Sequence, residues 1–164
     1  ILNLVYLCQH YGLNEVADYW HQVVKINDYQ KTRFAQKIID ELGGDVYNKK
    51  ISILGWAFKE NTNDSRESPA IYVAEKLIYA GALVRIYDPI VKKETIKDDI
   101  NNVLQSKLYS KEERQIFLKQ VSIHSDFKSV IKKSHAIAIL TNWDEFSNNN
   151  WLVEKDDYPP IFRI

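Results

Sequence analysis

Apolar residues change their period once along this chain, shortly after residue 42. Before that point they recur at helical spacing. Ile1, Leu2, Leu4, Val5 and Leu7 lead to a break at Tyr11-Gly12, and Val16, Trp20, Val23, Val24, Ile26, Phe34, Ile38, Ile39 and Leu42 follow. The pattern predicts the closing turns of one helix and then a second helix over residues 14–42, with Asn14 as its N-cap and Gly43-Gly44 as its stop. At about 1.5 Å per residue such a helix spans roughly 43 Å, more than a small domain requires. It therefore links two bodies or packs against its counterpart in a dimer, and Val16, Tyr19, Trp20 and Val23 are its apolar surface. The alternative is a helix hairpin lying on the domain's own sheet.

After residue 49 short apolar runs alternate with helical stretches. Residues 51–54 form a β-branched run bounded by Gly55, as in a buried parallel strand. A polar loop carries Lys59, Thr62, Asp64, Arg66 and Ser68 up to Pro69, which opens a helix over 70–79 with Ile71, Ala74, Leu77 and Ile78 on one face. Gly81 ends that helix and a second strand occupies 83–87, closed by Asp88-Pro89. Residues 92–119 are highly charged, anchored by Leu104, Leu108, Ile116, Phe117 and Leu118, and read as surface helices or a long insertion. A short strand is expected at 121–123, a helix at 127–133, a buried strand at 136–140, a short turn capped by Thr141 or Asn142, and a last strand beginning at Pro160-Ile161-Phe162. Residues 148–150 and 154–157 read as loops. Alternating strands and helices define an α/β class with a doubly wound, mainly parallel sheet, preceded by a long helical linker. Ligands of such folds sit outside the carboxyl ends of the strands, which places the Lys59 loop, the Asp88-Pro89 turn and residues 141–146 at the site.

Composition narrows the chemistry. Twenty-two basic residues cancel 22 acidic ones, so nothing suggests a nucleic-acid surface. Cys8 is the sole cysteine, set in an apolar helical pattern as an inert thiol; it excludes an intrachain disulfide. No apolar run reaches the ~20 residues of a membrane span, and no signal peptide opens the chain, which fits a cytoplasmic protein. The start at Ile1, inside an apolar pattern, looks like a fragment of something longer. His10, His21, His124 and His135 show no metal spacing.

Gly55 stands alone, without the glycines of a dinucleotide fingerprint or the lysine of a P-loop. Asp88 holds the position of a ribose-binding carboxylate, but without those glycines it reads as a turn residue. Lys59 and Arg66 form a cation pair suited to phosphate or carboxylate; the alternative is solvation, or pairing with Glu60, Asp64 and Glu67. Trp143 and Phe146 read as packing.

Ordered blocks then carry a resemblance. They are Asn3-Leu4-Val5-Tyr6-Leu7-Cys8, Ala17-Asp18-Tyr19-Trp20 with Gln22-Val23, Asn27-Asp28-Tyr29-Gln30 with Arg33-Phe34, Gly55-Trp56-Ala57-Phe58-Lys59 through Arg66-Glu67-Ser68, Ile86-Tyr87-Asp88-Pro89, and Thr141-Asn142-Trp143 with Phe146. Together they cover most of the chain except about 92–120, and the chain resembles the nucleotide-sugar dehydrogenases, nearest to the animal type that acts on UDP-glucose. The resemblance implies that residues 1–42 are the central helical, dimerising region and that 49–164 are a Rossmann-like UDP-sugar-binding domain. It implies oxidation of UDP-glucose to UDP-glucuronate by an NAD-dependent enzyme through a cysteine-bound thioester, with two NAD and one water. Phe58 and Lys59 match substrate-binding positions and Arg66 matches an arginine that reaches NAD from this domain. The family's catalytic cysteine stands before the block matching Ile1, and its NAD glycines, catalytic lysine and aspartate also fall outside the chain. No catalytic residue is therefore expected here, and the fragment alone is expected to be inactive. The family's Phe-Asp-Gly-Arg segment is represented by Phe162 directly followed by Arg163, so either two residues are missing or Arg163 is not the equivalent substrate arginine. Expected partners are UDP-glucose, the N-terminal NAD-binding domain and a second copy through the long helix. A related nucleotide sugar (a UDP-N-acetylhexosamine or GDP-mannose) and a non-enzymatic dimerising module are the rival readings.

Overall fold

A computed structural model of the chain describes residues 1–147 and 159–163. Two helices come first, α1 (Leu2–His10) and α2 (Asn14–Glu41). The 28 residues of α2 form one continuous helix, ended at Gly43 and Gly44, both at φ above +80°. Asn14 is not its N-cap. The cap position is Leu13, whose side chain bonds nothing, and Asn14 is the first helical residue. The turn after α1 explains this: Leu13 N–H reaches the Cys8 carbonyl at 2.8 Å and the Leu13 carbonyl accepts from Ala17 at 3.0 Å, so the backbone feeds directly into the next helix.

The remaining elements build one sheet. They are β1 (Lys50–Leu54), α3 (Pro69–Tyr79), β2 (Leu83–Tyr87), α4 (Lys93–Ser106), α5 (Lys111–Lys119), β3 (Val121–Ile123), α6 (Phe127–Ile131), β4 (Ala136–Ile139), α7 (Asp144–Ser147) and β5 (Ile161–Arg163). Strand order is β3-β2-β1-β4-β5 and every pairing is parallel. Sequence order reverses between β1 and β4, and right-handed crossovers then put the helices before and after that reversal on opposite faces. This is the Rossmann-like doubly wound arrangement that the alternating pattern predicts. The predicted loops at 148–150 and 154–157 lie outside the described residues.

The core is continuous from Ala35, Ile38 and Ile39 of α2, through Ile51 and Ile53 of β1 and Ala74 and Leu77 of α3, to Ala136 and Ile137 of β4. The far part of α2 thus lies on its own domain, against α3, although residues 14–41 are one helix and not the hairpin of the alternative reading. Its first half packs against α1, around Val5, Cys8 and Ala17 with Trp20 at the rim. Tyr19, at 67% exposure, and Ile26 and Tyr29 beyond it remain open to solvent.

The charged stretch after residue 92 is not an insertion. Ile96, Ile100, Val103 and Leu104 give α4 a buried stripe at helical spacing, packed on α3. Leu108, by contrast, is 90% exposed and anchors nothing. The following α5 is held at its start by a capping box, with Ser110 Oγ accepting from Glu113 N–H at 3.2 Å and the Glu113 carboxylate accepting from Ser110 N–H at 2.7 Å.

Candidate functional site at the sheet switch point

The carboxyl ends of β1 and β4 meet at the reversal of strand order. Leu140 N–H bonds the Leu54 carbonyl and Gly55 N–H bonds the Tyr87 carbonyl, each at 2.9 Å, so the chain leaves β1 tightly held on both sides. Gly55 has φ +89°, and a Cβ built there would lie 2.6 Å from Thr141 N and 2.5 Å from Thr141 Cβ. Only glycine tolerates both the dihedral and the contact. Thr141 does not cap the following turn. Its hydroxyl donates to the Ala57 carbonyl at 2.6 Å and clasps the site loop to β4.

Asp88 is more than a turn residue. Its Oδ2 accepts from Trp56 N–H at 2.6 Å, Ala57 N–H at 3.1 Å and Trp143 Nε1 at 3.1 Å, while Oδ1 accepts from Ile90 and Val91 N–H, both at 2.8 Å. The local half is an Asx-type turn of the kind Asp-Pro foretells. The other half ties together the loops after β1, β2 and β4. Asp99 on α4 adds a further anchor, accepting from Trp56 Nε1 at 2.9 Å and from Ser65 Oγ at 2.6 Å. Within the loop, Phe58 N–H reaches the Asp64 carbonyl at 2.8 Å, and Ser68 Oγ caps α3 by accepting from Ala70 N–H at 3.3 Å, with Pro69 at the first helical position.

Fixed shoulders leave an open tip. Phe58 is 55% exposed, and Lys59 beside it is exposed with no ion pair or hydrogen bond among the described residues. Arg66 is arranged differently. Its Nε and Nη2 form a two-point pair with Asp64 at 2.9 and 2.7 Å, and its side chain is 88% exposed. That pairing, joined by the Arg66 N–H, holds the Asp64 carboxyl at about 2, well below the usual carboxylate range. Of the two alternatives read for these cations, Lys59 stays free and Arg66 takes the acidic neighbour. Arg163 is exposed at the carboxyl end of β5, in register with Ile139 of β4. All four candidate residues therefore occupy the same edge of the sheet, with Arg163 two strands from the loop.

A second cluster joins the loop to the long helix. Lys31 Nζ of α2 lies 3.8 Å from the centroid of the Tyr72 ring and 3.5 Å from Glu67 Oε2, and Tyr72 Oη donates to that same oxygen at 2.7 Å. Glu67 carries φ +58°, an unfavourable value for a residue with a Cβ, and these contacts help hold it there. Burial, aided by the Glu67 carboxylate, pushes the Tyr72 hydroxyl pKa up. Asp99 and Lys31 were absent from the sequence-derived site; the Asp88-Pro89 turn and Thr141 were placed there, but as turn residues, without the bonds that fix the loop. Among the described residues no three His, Cys, Asp or Glu gather as a metal site, and Cys8 is buried.

A parallel sheet with a lysine-tipped loop at its switch point defines a nucleotide-binding type of α/β domain. Residues 52–161 match the UDP-glucose/GDP-mannose dehydrogenase family, UDP binding domain, and the chain belongs to that family. Among its relatives, UDP-glucose 6-dehydrogenase of Drosophila melanogaster is 48% identical over 146 residues, covering 89% of this chain and 30% of that protein. UDP-glucose 6-dehydrogenase 4 of Arabidopsis thaliana is 46% identical over 165 residues, covering 99% and 33%. The chain thus spans about a third of the length of the curated relatives it matches. Among solved structures, a UDP-glucose dehydrogenase from Pyrobaculum islandicum superposes with TM-score 0.63 at 24% identity over 88% of this chain and 28% of its own. A GDP-mannose dehydrogenase from Pseudomonas aeruginosa gives 0.61 at 24% identity over 98% and 34%. These two likenesses establish the fold.

Proposed function

We propose that residues 49–164 bind the UDP portion of UDP-glucose for an NAD-dependent UDP-glucose 6-dehydrogenase, with Phe58, Lys59 and Arg163 facing the substrate. The observation that carries this reading is Lys59 itself, an unpaired cation at the tip of a loop whose shoulders are fixed by Asp88, Thr141 and Asp99. A diphosphate supplies the charge such a lysine lacks, and the exposed Phe58 ring offers an apolar surface beside it. Arg66 fits a role toward NAD: Asp64 orients its guanidinium through Nε and Nη2 and leaves Nη1 free for a phosphate. NAD, when bound by the complete enzyme, accepts hydride from the sugar alcohol. This chain's part is to bind and orient. A cytoplasmic setting accords with the substrate class, and no helix among the described residues is long and apolar enough to cross a membrane.

Calorimetric titration with UDP-glucose and UDP-glucuronate tests the reading. Lys59→Ala is expected to weaken binding about tenfold to a hundredfold, the worth of one charged hydrogen bond, and to leave stability within about 0.5 kcal/mol. Binding indifferent to Lys59, or stronger for GDP-mannose than for UDP-glucose, would overturn the assignment.

We further propose that residues 1–42 mediate a homodimer. Tyr19, Ile26 and Tyr29 of α2, together with Leu2, Tyr6 and Leu13 from the α1 side, leave large apolar side chains exposed along the helical region, the kind of surface that a second copy would cover. Sedimentation is expected to report a dimer that Tyr19→Glu weakens; a monomer at high concentration would count against it.

A further inference from the structure

One face of the sheet carries polar side chains across β1, β2 and β3, where a doubly wound sheet ordinarily buries apolar ones. Ser52, Arg85 and Ser122 stand in register across β1, β2 and β3 and so share one face. The five-residue α6 lies over part of that face: Ser52 Oγ donates to the Val130 carbonyl at 2.7 Å, and Arg85 Nη1 donates to the Lys132 carbonyl at 2.7 Å. Beside it opens a cavity of about 550 Å³, within the range of small-ligand sites. Its wall includes Lys50, Arg85, Lys119, His124, Lys132 and Lys133, and among the described residues no Asp or Glu lines it. In a chain whose charges balance, that is a marked segregation of positive charge.

Arg85 distinguishes this cavity from a scatter of solvated lysines. It is half-buried and has no carboxylate partner among the described residues, and burial depresses its pKa. Its Nη1, Nη2 and Nε are fixed by the Lys132 and Ser129 carbonyls and by His124, which leaves two of its five N–H donors unused. The guanidinium is thus held by two carbonyls, with no counter-charge among the described residues. His124 also meets Ser122 Oγ and Ser129 Oγ, and burial, then Arg85, with Lys93 behind, lowers its pKa. The opposing carboxylate, Asp126, is engaged in capping α6 through Ser129 N–H at 2.8 Å.

We propose that this cavity is a second anion site, separate from the 55–68 loop, which takes a small molecule bearing a diphosphate or larger phosphate group. Two free Arg85 donors and the flanking lysines supply the several charge-assisted bonds that such a group needs. The limited size of this open cavity and the zero net charge favour a small polyanion over a nucleic acid, whose binding needs an extended basic surface.

The test is to titrate the chain with inorganic pyrophosphate at physiological salt, by calorimetry and by following the His124 ring in NMR spectra. Saturable binding in the millimolar range or tighter is expected, with the His124 pKa rising as the anion enters. Lys132→Ala/Lys133→Ala should weaken binding about tenfold or more, and Arg85→Lys should do the same if folding tolerates it. Lys59→Ala should leave it unchanged, which separates this site from the UDP-sugar reading. A parallel titration with ADP distinguishes sources: equal affinity assigns the site to the phosphates and tighter binding to a nucleotide, both in support. No saturable binding, loss with Lys59→Ala alone, or preference for short duplex DNA over pyrophosphate would overturn the proposal.

Discussion

Gly55→Ala is expected to destabilise the chain by about 3 kcal/mol or more, lowering its melting temperature by roughly 6–12 °C for a chain of this size. Two costs combine. Holding alanine at φ +89° costs of the order of 1 kcal/mol, and the new Cβ overlaps Thr141 at its backbone nitrogen. That backbone cannot retreat cheaply, because Leu140 N–H is bonded to Leu54 and Thr141 Oγ1 to Ala57. Gly81→Ala is the control. Its φ of +87° is equally awkward, but the nearest atom is Cδ2 of Tyr47, an exposed side chain free to turn away. Thermal and urea denaturation of the two variants should therefore differ by about 2 kcal/mol, with Gly55→Ala the worse. Equal costs would mean that the dihedral alone matters and that the close approach to Thr141 is unimportant.

The central strands were legible because parallel strands buried on both faces are short, β-branched and bounded by glycine or turn residues, as Ile51 to Leu54 and Ala136 to Ile139 are. The long helix was legible for a different reason: its apolar spacing runs unbroken to two glycines. In α4 the pattern was present but outweighed by charge, since Ile96, Ile100, Val103 and Leu104 keep helical spacing among acidic and basic neighbours. The cap of α2 failed because capping is decided by the preceding turn, and the turn at Gly12-Leu13 makes a side-chain cap unnecessary. At the site, Lys59 and Arg66 could be named from the loop, but their different fates could not. Arg66 reaches Asp64 two residues away, whereas the groups that fix the loop, Asp88, Asp99 and Thr141, come from 31 to 84 positions along the chain. Periodicity carries no information about such bonds.

Asp88 gives the other large expected effect. Asp88→Ala removes the acceptor of five N–H groups, from Trp56, Ala57, Ile90, Val91 and Trp143, at a position only 8% exposed. Each buried donor left unsatisfied costs about 1–3 kcal/mol, and even with water admitted to some of them a loss of about 3–5 kcal/mol is expected. Asp88→Asn should fall between. The amide keeps one oxygen, which can serve either the turn at Ile90 and Val91 or the loop at Trp56 and Ala57, while its NH2 confronts donors on the other side. Urea denaturation should rank wild type, Asn and Ala in that order, with Asn near 2 kcal/mol below wild type. A residue that merely shaped the Asp-Pro turn would behave otherwise: Asn would substitute almost freely and Ala would cost about 1 kcal/mol. The functional consequence follows from the same bonds. Trp56 and Ala57 immediately precede Phe58 and Lys59, so folded Asp88→Asn protein should bind UDP-glucose more weakly although Lys59 is intact. Undiminished UDP-glucose binding in that variant would show that the lysine's position does not depend on Asp88.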